Sequence, residues 1–186
     1  NPRLIIAFME PRAVLAWYDT AEQRYVLQVG CQSAHILRNN LADILGEPPE
    51  RVRVLVPDTG GGFGARNVIY PEFVLCAFAA RKLGRPVAWT ADRTESFLTD
   101  TQARGHRLSA SLAMDGNGRF TGIRVSSVWR HGAYIPNRNL HVLISHFAPM
   151  ICGVYTIPVS HCEIRGVFTH TAPVASLRGV ARAEAV

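Results

Sequence analysis

No stretch of the 186 residues approaches the roughly 20 consecutive apolar positions that a membrane helix needs, so no spanning segment is expected. The first residues also lack the basic-then-apolar order of a secretory leader. The cysteines Cys31, Cys76, Cys152 and Cys162 contain no C-x-x-C pair, which argues against an iron–sulfur cluster or structural zinc site wholly inside the chain. Reduced thiols in a cytoplasmic protein fit this usage. The net charge is +6 and the pI near 9.6, yet there is no run of five basic residues and no aromatic interleaving. The positive charge therefore reads as an ordinary solvated surface and not as a nucleic-acid stripe. With only 18% charged against 48% hydrophobic residues, disorder is excluded and a folded domain expected. There is no initiator Met before Asn1-Pro2-Arg3, and the chain stops in the helix-forming residues Ala181 to Val186, so both ends read as cut.

What is present is a mixture of strand and helix signals. Arg12 to Tyr18 and Arg24 to Val29 predict a hairpin around the polar turn Asp19 to Gln23. Ser33 can cap a helix carrying Ile36, Leu37, Leu41, Ile44 and Leu45 at helical spacing, ended by Gly46 and Pro48-Pro49. Arg51 to Val56 alternates as a strand. Pro71 suits the first turn of a second helix, Glu72 to Leu83, with Phe73, Val74, Ala77, Phe78 and Ala80 as its buried face and Gly84 after its end. Pro86 to Thr90 reads as a short strand, and Asp92 with Glu95 as a capping box. Arg107 to Ala113 and Arg119 to Trp129 form a second hairpin around Asp115-Gly116-Asn117-Gly118. Beyond His131 the periodicity fades among Pro136, Pro149, Pro158 and Pro173. The expectation is an α+β fold of mixed sheets with a few packed helices, compact over about residues 10–130 and more extended over 131–186.

Gly60-Gly61-Gly62-Phe63-Gly64 stands out. Four glycines in five residues remove side chains where backbone N–H groups can approach a ligand, and consecutive amides in such a turn make an anion-binding concavity. Gly60, Gly62 and Ala65 also satisfy G-x-G-x-x-A, but Pro71 would interrupt the helix a Rossmann turn requires. The acidic residue expected about 20 positions on is missing, and so is the Gly-Lys-Ser/Thr of a P-loop.

The order of several motifs resembles the large subunit of the molybdenum hydroxylases: xanthine dehydrogenases, aldehyde oxidases and aerobic carbon monoxide dehydrogenases. They run Met9-Glu10-Pro11-Arg12, Gln32 with His35, Val54 through Pro57-Asp58 into the glycine loop, then Tyr70-Pro71-Glu72 and Leu83-Gly84-Arg85-Pro86-Val87. Asp92-Arg93 with Glu95, Gly132-Ala133-Tyr134 and Arg178-Gly179 complete the series. The resemblance covers nearly the whole chain and is strongest to the bacterial carbon-monoxide-dehydrogenase-like branch.

It implies a fragment, residues 1–186, of a molybdopterin-binding domain. Gln32 then hydrogen-bonds an oxo ligand or the dithiolene side of the molybdenum centre, while Gly61, Gly62, Phe63 and Gly64 line the cofactor. Asn67 falls at a substrate-binding position where purine-hydroxylating relatives carry a glutamate, which argues against a xanthine-like substrate. Arg178 lies on the substrate side, able to stabilise developing negative charge. Three departures from the family pattern carry no assigned role: Ala65-Arg66 where a small residue and Lys are usual, Val180 to Ala183 where Gly and Pro are usual, and His131 where an acid is usual. The histidines, including the pair His141 and His146, offer no convincing metal spacing, and the resemblance implies a metal held by the pterin dithiolene and not by protein side chains.

The activity so implied is oxidation of a small aldehyde, N-heterocycle or related substrate with water-derived oxygen, the molybdenum taking two electrons. The pterin is expected in its cytosine dinucleotide form. Iron–sulfur and FAD groups are expected on partner subunits or domains, with no nucleic acid and no membrane among the partners. The family's base, a glutamate, is expected beyond Val186, so this segment alone should be inactive. Two other readings remain open at this point: a basic module that grips phosphate or nucleic acid, and a cofactor-free scaffold relative.

Overall fold

A computed structural model describes residues 3–136 and 145–185. His141 lies outside the described residues. In chain order the strands are β1 (Arg3–Leu4), β2 (Ala13–Asp19), β3 (Arg24–Val29), β4 (Val52–Leu55), β5 (Val87–Thr90), β6 (Ala103–Arg104), β7 (His106–Met114), β8 (Phe120–Arg130) and β9 (Ser160–Val167). The helices are α1 (Ala34–Leu45), α2 (Pro71–Leu83), α3 (Arg93–Thr99) and a terminal turn, Arg182–Ala185. Two compact units result: one is Ile6–Asp100, the other joins the first residues, through Ile5, to those from Thr101 on.

In the Ile6–Asp100 unit the sheet order is β4-β3-β2-β5. β2 pairs antiparallel with both β3 and β5, whereas β3 and β4 run parallel. A parallel pair needs a crossover, and α1 supplies it. Ser33 caps α1 by accepting the Ile36 N–H at 3.5 Å, and Gly46 ends it in the left-handed region at φ 68°. Leu37, Leu41 and Ala42 are its buried residues, so Ile36 and Ile44 of the expected stripe turn outward.

The buried face of α2 also differs from expectation. It is Phe73, Cys76, Ala77 and Ala80, with Phe78 56% exposed. Positions 73, 76, 77 and 80 follow the three- and four-residue spacing of one face, while 78 is five residues from 73 and lies well round the helix. Asp92 caps α3 by accepting the Glu95 N–H at 2.7 Å.

In the other unit β7 and β8 form the expected hairpin, in which Asp115 Oδ1 accepts the Asn117 and Arg119 amides at 2.8 and 3.0 Å. Gly118 adopts φ 80°. The fading periodicity after His131 predicts extended chain, but the segment contains β9, paired parallel to β8 from Ile123↔Ser160 to Arg130↔Val167. The hairpin therefore falls in the same compact unit as the later residues. Alternation fails as a signal in β9 because most of its residues are exposed on both faces.

His131 joins this sheet through its main chain, donating to Val167 O at 2.9 Å and accepting from Val174 N at 3.0 Å. Its ring is buried, and burial lowers its pKa. The unfolded chain then binds this proton more readily than the folded one, so His131's contribution is complete above about pH 6.5 and is lost as pH falls through its lowered folded value. Urea midpoints measured from pH 7.5 to 5 should fall less steeply for His131→Gln than for the parent chain; equal slopes would show that this ring does not set the acid sensitivity.

Candidate functional site

The site is built in the Ile6–Asp100 unit where β3 and β4 end. Beyond β3 come Gly30, Cys31 and Gln32, and beyond β4 comes the glycine loop. Gln32 holds two parts of that loop. Its main-chain N–H donates to Arg66 O at 3.1 Å, and its side-chain Oε1 accepts the Gly64 N–H at 2.7 Å. With the amide oxygen committed to the loop, the Gln32 NH₂ is left without a partner among the described residues and can donate outward. Beside it, burial pushes the Cys31 thiol up, which favours its protonated form.

The glycines have separate reasons. A Cβ on Gly62 would sit 2.5 to 2.7 Å from three atoms of the Gln32 side chain, so nothing larger than glycine lets that amide lie against the loop. Gly61 and Gly64 both take φ 103°. Phe63, between them, is held at φ 48° with 45% of its surface exposed. A bulky residue in the left-handed region costs about 1–3 kcal/mol and persists only where its surroundings impose it. The Phe63 ring stacks on Phe8 at 6.2 Å between centroids. The Gly62 N–H makes no hydrogen bond among the described residues, whereas the Ala65 and Asn67 amides close short turns onto Gly62 and Gly64. The loop passes into the 3-10 turn Ala65–Asn67, and α2 begins only at Pro71, so no helix opens from the glycines as a dinucleotide-binding turn requires.

The base of the loop is tied by charges. Glu10 Oε2 accepts the Gly60 N–H at 2.6 Å and pairs with Arg66 Nη1 at 2.9 Å. Beneath lies a second, deeper ion group. Arg12 donates from Nε to Asp100, from Nη1 to Glu72 at 3.0 Å and from Nη2 to Thr99 at 2.8 Å, and its guanidinium lies 3.8 Å from the centre of the Tyr70 ring. The Tyr70 hydroxyl in turn donates to Ala65 O at 3.2 Å. Burial alone would lower the Arg12 pKa, but the hydrogen bond to Glu72 and the charges of Asp100 and Glu72 outweigh it and raise it. Arg12 therefore stays charged.

The structure thus brings Gln32, Gly60 to Gly64 and the turn bearing Asn67 together. Arg178 lies in the other unit, exposed, its carbonyl accepting from Arg104 Nη2 at 3.1 Å. The backbone after it runs through Gly179, Val180 and Ala181 at φ 94°, 27° and 64°. Among the described residues no three His, Cys, Asp or Glu side chains converge as a metal site, and no helix is long and apolar enough to cross a membrane. Glu10, Arg12 and Arg66 are the supporting residues whose roles the sequence alone left unassigned.

A loop that leaves the Gly62 N–H without a partner among the described residues, with the Gln32 NH₂ donor beside it and no ionisable side chain of its own, suits a ligand rich in acceptor oxygens or sulfurs. The sequence pattern of the molybdopterin cofactor-binding domain matches residues 1–186. The chain belongs to that family.

Among relatives of this molybdopterin-binding chain is the carbon monoxide dehydrogenase large chain of Hydrogenophaga pseudoflava, 33% identical over 92% of this chain and 21% of the relative. The nicotine 6-hydroxylase large subunit of Paenarthrobacter nicotinovorans is 35% identical over 96% of this chain and 22% of the relative. Among solved structures, quinoline 2-oxidoreductase from Pseudomonas putida 86 superposes with a TM-score of 0.90 at 36% identity, over 96% of this chain and 23% of that one. The chain spans about a fifth of the length of these relatives. Their shared fold bears out the expected α+β class of mixed sheets with a few helices.

Proposed function

We propose that this chain supplies one wall of a molybdopterin site in a molybdenum hydroxylase subunit, and that the complete protein oxidises a small aldehyde, N-heterocycle or related substrate with oxygen taken from water. The observation that carries the reading is the Gln32–Gly64 contact against Gly62, which fixes an amide donor beside a loop whose one side chain is Phe63. The residues fit the cofactor: a Cβ would fill the cradle at Gly62, and the Gly62 N–H has no partner among the described residues. The molybdenum cofactor supplies the two-electron oxidation when bound. The chain's own part is to bind and orient. Gln32 donates to an oxygen or sulfur acceptor, the Gly62 N–H offers a second donor, Gly61 and Gly64 keep side chains away from it, and Phe63 presents an apolar face beside them.

Asn67 stands on the substrate side of the loop, and the lack of a carboxylate there disfavours a xanthine-like ring. Arg178 is assigned to charge stabilisation at the substrate. The cytosine dinucleotide form of the pterin, iron–sulfur and FAD groups on partner subunits or domains, and a cytoplasmic location complete the reading. Names such as nicotine 6-hydroxylase and quinoline 2-oxidoreductase among the relatives support an N-heterocycle as one substrate class.

The test uses the full-length subunit in its complex. Gln32→Ala removes a donor and an acceptor, each hydrogen bond to a charged group being worth about 1.5–3 kcal/mol, so pterin and molybdenum per protein should fall to about a tenth or less. Gly62→Ala should do the same by displacing the Gln32 side chain. Molybdenum assayed by mass spectrometry, and pterin by its fluorescent oxidation product, give the answer. Parent-like amounts of both in the two variants would end the proposal.

A further inference from the structure

We propose that Glu10, acting through Arg66, is the positioning residue that gives the glycine loop its binding shape, and that Gly30 is the opening that admits Arg66. The proposal rests on the functional reading above and identifies what holds that site together. Four glycines in five residues give the backbone unusual freedom, and a site that must hold one arrangement has to remove it. A single oxygen does so at both ends. Glu10 Oε2 takes the Gly60 N–H where the loop begins and the Arg66 guanidinium where it ends. The Arg66 carbonyl receives the Gln32 N–H, so the same group also fixes the residue whose side chain faces the ligand.

Arg66 is 3% exposed and is shaped for this task. Its Nη1 serves the carboxylate while Nη2 donates to the Glu10 and Pro11 carbonyls. A planar fork reaches these acceptors from two separate nitrogens, whereas the shorter ammonium of the lysine usual in the family meets them from a single point. The guanidinium also lies 4.9 Å from the centre of the Phe8 ring, on which Phe63 stacks, so the clamp reaches the aromatic residue of the loop as well. A Cβ on Gly30 would overlap Arg66 Nη1, so a larger residue there would push the guanidinium away from the Glu10 carboxylate.

The experiment compares Glu10→Gln, Arg66→Lys, Gly30→Ala and the double variant Gly30→Ala/Arg66→Lys in the full-length subunit. It reads hydrogen–deuterium exchange of the loop amides in protein produced without cofactor, and pterin content in protein produced with it. Glu10→Gln and Arg66→Lys should each speed exchange at Gly60 and Gly64 about tenfold or more, the factor expected for losing one charge-assisted hydrogen bond, with β3 amides unchanged. Pterin content should fall in parallel. Gly30→Ala should have the same effect, but adding it to Arg66→Lys should bring little further change, because the shorter head removes the overlap and leaves the methyl group only the milder contact with Thr59 Cγ2 at 3.3 Å. Should Glu10→Gln fail to fold, Arg66→Lys and the double variant still decide the matter.

Unchanged exchange in Arg66→Lys overturns the clamp. Faster exchange with full pterin content overturns its role in positioning. A parent protein devoid of pterin would refute the functional reading, while the exchange data would still decide whether Glu10 and Arg66 shape the loop.

Discussion

Asp100→Ala should destabilise the Ile6–Asp100 unit by about 3–5 kcal/mol, the range for removing one partner of a buried ion pair. Asp100 is 0% and Arg12 2% exposed, so neither charge has water to fall back on. Arg12 meets Asp100, Glu72 and Thr99 through three different nitrogens and lies over the Tyr70 and Trp89 rings at 3.8 and 5.2 Å. Deleting Asp100 leaves the Nε–H buried and unmatched, and Glu72, already bound at Nη1, cannot turn to serve it. Asp100→Asn keeps an acceptor and should cost less than half as much. Equilibrium urea unfolding followed by tryptophan fluorescence measures both; a loss under about 1 kcal/mol for Asp100→Ala would mean that the guanidinium reaches water or another acceptor. Because Arg12 lies against Tyr70, whose hydroxyl holds the Ala65 carbonyl, the same variant should also loosen the end of the glycine loop.

Trp129→Ala should cost the other unit about 3–5 kcal/mol, the usual range for a large aromatic deleted from a core. Trp129 is 1% exposed and packs with Val125, Phe147, Ile151 and Ala181 in one cluster. It stacks on His106 at 4.4 Å, meets Phe147 edge-on at 5.4 Å and donates to Ser127 Oγ at 2.7 Å. Its loss opens a cavity that touches β7, β8 and the residues around Phe147 together. Trp129→Phe keeps the stacking and loses mainly the indole hydrogen bond, so it should cost about 1 kcal/mol. Thermal unfolding monitored by circular dichroism separates the two; equal midpoints for Ala and Phe would show that the hydrogen bond, and not the packing, dominates.

Local signals were readable in the sequence because they act over a few residues. The Ser33 and Asp92 caps, the Gly46 terminator and the turn at Asp115 to Gly118 all occur as expected, since each is satisfied by its own neighbours. The buried face of α2 departs from the expected one because residue type favours Phe78 over Cys76, while helix geometry turns Cys76 inward. Strand partners were out of reach: β5 joins β2 across some 70 residues, and nothing in Val87 to Thr90 names that neighbour. The glycine loop and Gln32 were recognisable as parts of a motif, and the structure adds the contact between them. Glu10 and Arg66 were visible as letters only. An acid before a proline and a basic residue after a glycine run look like surface charges until a carboxylate oxygen is found between Gly60 and Arg66.

The parallel pairing of β9 with β8 bears on how the chain reaches its native state. The β7–β8 hairpin closes through a four-residue turn and can form within microseconds, long before Ser160 to Val167 arrive. Until then the second edge of β8 lies open along the eight residues Ile123 to Arg130, which include Val125 and Val128, a template for another chain. During synthesis from the N-terminus this interval lasts on the order of seconds, given about 5–20 residues per second. Yield of soluble protein should therefore depend on how quickly that edge is covered, a kinetic burden that the finished sheet no longer displays.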